Sequence, residues 1–547
     1  LNRAEFLKIA GGGSLVAALP PLKARSSQGE TLLKVAADSF DGELYNFWST
    51  SVTTGQDYFL DADRRESVRE IHPFAKYINC VRFLGGTEVN KDGFFRGAGA
   101  NGEALADFSD AVRYVKGVLD FGFTPRIVLD NVPISMSRPA ELNQYGNTLP
   151  PQDFGLWHSY IRQLIQALVK AFGRDQVSRW RFRVGTEPDL YPGHWTGSEQ
   201  DYYKHYDYTV DAVTSVIPEA EIGPGNILNP EESLPAMQRA GKEQWGLRIV
   251  DHCAAGKNYK TGKTGTRLCF FGMSWYGRVG RPVGLDEAAQ KIRERLSKYR
   301  QFGGVPVDIQ EFSVLTDEWG ARLYGGDASE WSASWMAAVT EKVYRHRLAQ
   351  VYQWSTTTNG IPHPRTHVMT MLERMQAGKR LRVDPAPSTG EFGCIAGAKG
   401  GGIDLLVYRH KPEREDGEPA RVRVGISGLA GDSWRIARGD IIDHEHSGYI
   451  HALYKDLADA GIKPLEKAPL LGDKSGKAGR TPVFGAVVSE RYGPEGQKFF
   501  NVRHEKYREL GRLRALEPLP ALAKDSNGIS LALDLAGHSV AYLRLER

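Results

Sequence analysis

Cysteine is scarce in this chain: 547 residues include four, Cys80, Cys253, Cys269 and Cys394. None stands at the close Cys and His spacing that a structural zinc site needs, so all four are expected to be free thiols. Charge of one sign is also lacking. The net charge is +4 with 25% charged residues, which calls for neither nucleic acid nor an anionic membrane surface as a partner. Beyond the N-terminus no apolar run is long enough for a transmembrane helix.

Aromatic side chains, by contrast, are plentiful, with 11 Trp, 23 Tyr and 22 Phe among 41% hydrophobic residues. Most of these rings belong in a core, and some can stack on the flat faces of sugars. The length exceeds one ordinary core and fits two domains, one of them large.

The first residues, L-N-R-A-E-F-L-K-I-A-G-G-G-S-L-V-A-A-L-P, combine a basic start with a short apolar run from Ile9 to Leu19 and a small-residue exit near Ala24. Residues 1–30 therefore read as an export signal and linker, which places the mature chain in the periplasm or outside the cell. Arg3, Phe6, Leu7 and Lys8 resemble a twin-arginine signal, with Ala4 where the second arginine would stand. The alternative is a disordered or amphipathic tail.

From Thr31 to about residue 380, short β-rich runs alternate with longer amphipathic segments. Eight runs qualify as strands: Leu33 to Asp38, Ile78 to Gly85, Thr124 to Asn131, Trp180 to Glu187, Glu221 to Ile227, Leu268 to Tyr276, Pro306 to Glu311 and Gln350 to Thr356. Between the third and fourth, Leu156, Trp157, Tyr160, Ile161, Leu164, Ile165, Leu168, Val169 and Phe172 recur at helical spacing. Asp153 is the expected N-cap of this helix and Gly173 its stop. A second helix is expected from Ser109 to Phe121, ending at Gly122. Eight alternating units predict a (β/α)8 TIM barrel over residues 31–380, an α/β fold whose chemistry gathers at the carboxyl ends of the strands.

Residues 381–547 have another texture. Val383 to Glu391 is rich in proline and small residues, and short strands follow at Ile403 to Arg409, Arg421 to Ile426, Trp434 to Ala437, Val483 to Val488, Ile529 to Leu535 and Ser539 to Leu545. With helical periodicity mostly missing, this part reads as a C-terminal β-sandwich. The charged run from Lys411 to Pro419 reads as a solvated hairpin loop.

Two stretches carry the chemistry. W-R-F-R-V-G-T-E-P-D-L-Y, Trp180 to Tyr191, alternates like a strand and stops at Glu187-Pro188, because proline has no N–H for the ladder. P-V-D-I-Q-E-F-S-V, Pro306 to Val314, ends an apolar run at Glu311. Either residue alone reads equally as a surface glutamate after a strand. Together, at the ends of the fourth and seventh strands, they form a pair that can face across a barrel mouth. Two such carboxyl groups cleave glycosidic bonds, with retention at a separation of ~5 to 5.5 Å and inversion at ~6.5 to 9.5 Å. Asn131, Trp275, Tyr276 and Trp354 end other strands at the same mouth, and His194 and Trp195 follow Glu187 closely enough to border an outer subsite. Barrel packing is the competing role for the aromatic residues among them.

These motifs resemble the retaining clan of barrel glycosidases with glutamates on strands four and seven and, within it, glycoside hydrolase family 39, the β-xylosidases and α-L-iduronidases. Asp107-Phe108-Ser109 leading to Phe121-Gly122-Phe123-Thr124-Pro125-Arg126 is similar to that family, as are Gly360-Ile361-Pro362-His363-Pro364 and Ile442-Asp443-His444-Glu445-His446-Ser447-Gly448-Tyr449. The resemblance implies Glu187 as acid/base, Glu311 as nucleophile, Tyr276 as the tyrosine that orients it and Trp354 as the floor of the sugar site. It departs at Thr186, where the family has an asparagine for the sugar 2-hydroxyl, and at Leu84-Gly85-Gly86, where a histidine is frequent.

The function expected is thus a retaining, β-xylosidase-like glycosidase acting on chain ends of an oligosaccharide or glycoside, without cofactor or metal, since the carboxyl groups perform every step. An arabinose-, galactose- or uronate-containing substrate, net transglycosylation and a non-catalytic carbohydrate-binding protein are the alternatives. Oligomeric state is left open.

Overall fold

The computed structural model describes residues 31–547 apart from 55–56, 61–71, 138, 140, 144, 231–234, 316–325, 355, 359, 385–389, 431–432, 466–487 and 526–527. The export signal expected over residues 1–30 lies outside the described residues. So does the strand expected at Val483 to Val488, except Val488, which opens a helix.

Among the described residues, eight parallel strands form one sheet. In chain order they are Thr50–Thr54, Tyr77–Val81, Thr124–Val128, Arg181–Val184, Glu221–Pro224, Phe271–Arg278, Val307–Leu315 and Val351–Gln353. Neighbours in sequence pair, with register shifts along the seventh strand, and the eighth pairs with the first. The fifth and sixth close the ring through a bridge between Ile227 and Met273, where Ile227 N–H donates to the Gly272 carbonyl at 2.9 Å. Helices between the strands bury their apolar faces on this ring. In Phe154–Phe172 the Asp153 carboxylate caps the amides of Gly155 and Leu156, Leu164, Ile165 and Leu168 are fully buried, and Gly173 ends the helix with φ at +84°. No helix among the described residues is long and apolar enough to cross a membrane.

Strand alternation fills the barrel with polar side chains. In Arg181-Phe182-Arg183 the phenylalanine faces the helices and both arginines face inward. Arg181 pairs with the buried Asp308 at 2.9 Å, and Arg183 donates to Gln310 Oε1 at 3.4 Å. Arg126 lies over the Tyr77 ring at 4.3 Å and donates to the Tyr352 hydroxyl, which in turn donates to Asp308 at 3.1 Å. Arg181 thus has a carboxylate beside it, Arg126 a ring and Arg183 a side-chain oxygen, partners that burial requires.

A ten-stranded sheet, counted among the described residues, packs against the barrel. Its order is Arg514–Ala515, Arg435–Ile442, Ser539–Glu546, Gly402–Arg409, Phe392–Lys399, Lys379–Asp384, Thr31–Glu43, Ala420–Ser427, Gly528–Leu535 and Ala523–Asp525. Leu33, Val35, Leu405, Val407, Val424, Leu531 and Leu543 build one apolar core on one face, while Leu406, Tyr408 and Tyr542 on the other join the barrel core. The strand expected at Leu33 to Asp38 as the first of the barrel therefore belongs elsewhere: it pairs antiparallel with Lys379–Asp384 and parallel with Ala420–Ser427. The first barrel strand is Thr50–Thr54, read as T-S-V-T-T.

Two further expectations change. Gly402–Arg409 and Ala420–Ser427 are not sheet neighbours, so residues 410–419 form a crossing loop and not a hairpin. Helices Ile450–Asp459, Val488–Val502 and His504–Leu510 supply a third core around Tyr449, Leu453, Leu457, Phe500 and Tyr507, where few helices were expected.

Candidate active site

Glu187 and Glu311 both enter the barrel mouth, by different backbone devices. The fourth strand stops at Val184, Gly185 has φ at +79°, and Glu187 itself lies at φ +41°. Few residues other than glycine hold that conformation, and it turns the carboxyl inward over the strand ends. Glu311 is not the last residue of its strand, as the sequence implied, but sits inside Val307–Leu315. Met273 pairs with Ile309 and Ser274 with Glu311, so Gln310 is an extra residue, a β-bulge. The bulge shifts the alternation: Asp308, Gln310 and Glu311 all face inward, while Phe312 stacks on Trp335 of the helix layer at 4.6 Å. Gly272 makes room for it, since a Cβ there would lie 2.4 Å from Gln310 Cδ.

The sixth strand serves both carboxyl groups. Ser274 Oγ donates to Glu187 Oε1 and accepts from Asn226 Nδ2 at 2.7 Å. Two residues on, Tyr276 O–H donates to Glu311 Oε2 at 2.6 Å and accepts from Trp354 Nε1 at 2.9 Å. Both glutamates are nearly buried, 6% and 7% exposed. Burial raises the Glu187 pKa well above the carboxylate range and the Glu311 charge raises it further, against a smaller opposing pull from Ser274. Burial also raises Glu311, but Arg183, the Tyr276 hydroxyl and Arg82 oppose it. The pair titrates as a unit in which Glu187 is the better proton holder.

His194 Nε2 lies 3.5 Å from Glu187 Oε2, and its ring stacks on Tyr145 with centroids 4.4 Å apart. Burial, with Arg82 and Arg183 nearby, lowers its pKa well below the usual value, which works against an ion pair with Glu187. Asp189, also of the Glu-Pro-Asp-Leu stretch, accepts from Leu228 N–H at 3.0 Å and ties the loop after the fifth strand to this one; burial pushes its pKa up to about 7.

The remaining expected site residues divide. Thr186 Oγ1 donates to Asp130 Oδ2 at 2.7 Å and accepts from Arg183 at 2.9 Å, so its hydroxyl is engaged inside the protein. Asn131 spends its amide on the carbonyls of Tyr145 and Asn147. Both line a small pocket beside Pro188, with His194 and Trp195. Trp275 does not reach the mouth: it alternates with the inward Ser274 and Tyr276, and its ring packs toward Gly284 in the main core. Trp195 is likewise a packing residue, its Nε1 bonded to the Ser198 carbonyl at 3.0 Å and its ring edge-on to Tyr202. Sequence reasoning missed Ser274, Asn226, Asp130, Arg183 and Arg82. Arg82 follows the second strand, its amide donating to Asp130 Oδ1 at 2.6 Å and its Nε to the Tyr145 carbonyl at 3.1 Å. The inward phase of M-S-W-Y and R-F-R was the available signal for Ser274 and Arg183.

The Gly360-Ile361-Pro362-His363-Pro364 stretch supports the mouth from behind. Arg365 Nε pairs with Asp327 at 2.7 Å and its Nη1 donates to Gln353 at 2.6 Å, all fully buried, with His363 at 3.4 Å from the same carboxylate.

A parallel eight-stranded barrel with two buried carboxyl groups at the carboxyl ends of its strands is the arrangement that barrel glycosidases use. The family model of glycosyl hydrolases family 39 matches residues 31–281. It is 28% identical over 431 residues to a β-xylosidase of Caldicellulosiruptor saccharolyticus, covering 71% of this chain and 80% of that protein. It is 23% identical over 269 residues to an α-1,4-L-rhamnosidase of Formosa agariphila, covering 46% and 51%, so the chain spans about half of that relative. The crystal structure of a family 39 enzyme from Xanthomonas axonopodis pv. citri has the same fold, with a TM-score of 0.67 at 14% identity over 95% of this chain and 98% of that one.

Proposed function

We propose that the chain is a retaining glycosidase that removes terminal sugars from oligosaccharides, β-D-xylosidase-like in its specificity. The observation that carries this reading is the division of labour on the sixth strand, where Ser274 bonds Glu187, whose pKa burial and the Glu311 charge push well above the carboxylate range, and Tyr276 bonds Glu311, whose rise on burial Arg183 and the Tyr276 hydroxyl oppose. Glu311 attacks the anomeric carbon as Glu187 passes its proton to the departing oxygen. Water then displaces Glu311 while Glu187 takes a proton from that water. Tyr276 holds one Glu311 oxygen, leaving the other for attack, and Trp354, fixed through its Nε1, offers a ring to the sugar face. No step calls for a cofactor.

The same chemistry on an arabinose-, galactose- or uronate-containing glycan is the second reading. It is favoured by Thr186, whose side chain turns to Asp130 and leaves a sugar 2-hydroxyl without the amide partner usual in the family. The ten-stranded sheet is read as a β-sandwich bracing the barrel, and residues 1–30 as a signal that delivers the chain out of the cytoplasm to its substrate.

A panel of aryl glycosides and oligosaccharides, with the anomeric configuration of the first product followed by NMR, tests the proposal. Retention is expected, with Glu187→Gln and Glu311→Gln both inactive while still binding sugar. Inversion rejects the mechanism. Binding without turnover of any substrate turns the reading to a carbohydrate-binding protein, and transfer to added acceptors as the main outcome turns it to a transglycosylase.

A further inference from the structure

Outside the carboxylate pair, two histidines and two acids from four separate segments converge where the barrel meets the ten-stranded sheet. Glu330 opens the helix Glu330–Arg345 that follows the seventh barrel strand, and its side chain is 4% exposed. Its Oε2 lies 2.8 Å from Nε2 of His451, on the helix Ile450–Asp459, and its Oε1 lies 3.7 Å from Nδ1 of His444, in the Asp443-His444-Glu445-His446-Ser447 turn. The same Nδ1 is 3.8 Å from Oδ2 of Asp416, in the crossing loop 410–419. Donor atoms of Glu330, His444 and His451 all lie within 4.8 Å of one another.

Geometry and chemistry agree on what such a cluster can hold. Tetrahedral zinc with metal–ligand bonds of roughly 2.0 to 2.2 Å has donor–donor edges of roughly 3.3 to 3.6 Å. The separations of 2.8 Å from Glu330 Oε2 to His451, 3.7 Å from Glu330 Oε1 to His444 and 3.8 Å from His444 to Asp416 lie on either side of that range, and the three donors Glu330, His444 and His451 need shift by only about 1 Å to reach it. The His444 and His451 rings are stacked with centroids 3.9 Å apart, an arrangement that two imidazolium cations would oppose and two neutral ligands tolerate. A salt bridge to Glu330 alone would need one histidine, not a stacked pair.

We propose that Glu330, His444, His451 and Asp416 bind one zinc ion that clamps the barrel to the turn, helix and loop packed against it. Two imidazole nitrogens and two carboxylate oxygens fit zinc and disfavour calcium or magnesium, which take all-oxygen shells. Glu330, His444 and His451 are the three donors that already lie together, and Asp416, 3.8 Å from His444, takes the fourth position in this proposal, which makes the ion structural.

The test uses the full chain, stripped with a chelator and titrated with zinc chloride alone by calorimetry and native mass spectrometry. One zinc per chain is expected, together with a melting temperature that falls on chelation and recovers on adding zinc. His444→Ala and His451→Ala should each weaken binding by about tenfold or more. His446→Ala, in the same turn but paired with Asp443, should leave binding and melting unchanged. His451→Asn, which keeps a polar partner for Glu330, separates loss of the ion from loss of the fold. The proposal is overturned by zinc failing to bind even in large excess, by binding that survives the double His444→Ala, His451→Ala change, or by melting indifferent to the chelator.

Discussion

Replacing Ser274 with alanine perturbs one proton in the site and leaves both carboxyl groups in place. The serine hydroxyl donates to Glu187 Oε1 and so favours the ionised form. Its loss pushes the Glu187 pKa higher still. A hydrogen bond to a charged group is worth about 1.5 to 3 kcal/mol, and one pKa unit corresponds to roughly 1.4 kcal/mol. The bond partly survives when Glu187 is protonated, so about half of that difference, a rise of about 0.5 to 1 unit, is expected. In the proposed mechanism Glu187 begins the cycle protonated, and activity is lost as pH rises through the upper macroscopic pKa of the pair. The alkaline limb of kcat/KM should therefore move to higher pH by that amount, while the acidic limb, set mainly by Glu311, stays in place. The rate below the limb should fall most for poor leaving groups, which need the proton, because Glu187 has become a weaker acid. The assay is a pH–rate profile on two aryl glycosides of different leaving-group ability, beside a melting curve for each protein. An alkaline limb that stays put or moves down, in a variant that melts like the parent, refutes the reasoning.

Tyr276→Phe removes the 2.6 Å bond to Glu311 and should shift the acidic limb upward, lowering kcat/KM by about 10- to 100-fold, as expected for a charge-assisted bond; an unchanged acidic limb counts against it. Glu187→Gln should raise the melting temperature at neutral pH, because a buried carboxyl with a raised pKa costs stability once pH exceeds its unfolded value. That gain should vanish below the ordinary carboxylate range, which melting curves across pH would show. Arg365→Met leaves Asp327 buried without its main cation and should destabilise by about 3 to 5 kcal/mol in urea unfolding.

Seven of the eight barrel strands were legible because each carries aliphatic or aromatic residues in a short run. The first was not. Thr50–Thr54 presents the buried polar groups Thr50, Ser51 and Thr53 around a single valine, so a search for apolar runs passes over it. The alternation of Leu33 to Asp38 does mark a strand, but period two carries no information about which sheet takes it. The glutamates could be found because Pro188 ends one strand and because two similar stretches recur. The bulge at Gln310, which turns Glu311 inward, depends on register with neighbouring strands and leaves no mark in one sequence. For the same reason Trp275 and Tyr276 looked equivalent, although adjacent strand residues face opposite ways. The helix Ile450–Asp459 was readable from Leu453 and Leu457 four apart, but was hidden by the turn residues around it.

The strand Thr31–Glu43 lies between Lys379–Asp384 and Ala420–Ser427, and the Leu44 amide bonds the Gly378 carbonyl at 2.9 Å while the Ala377 amide bonds the Leu44 carbonyl at the same distance. The whole barrel thus enters and leaves the sheet through one doorway, as a guest inserted between two adjacent strands. A C-terminal fragment cut near residue 380 would lack a central strand and bare two sticky edges. A graft that exchanges barrels at Leu44 and Gly378 would instead keep the host sheet whole.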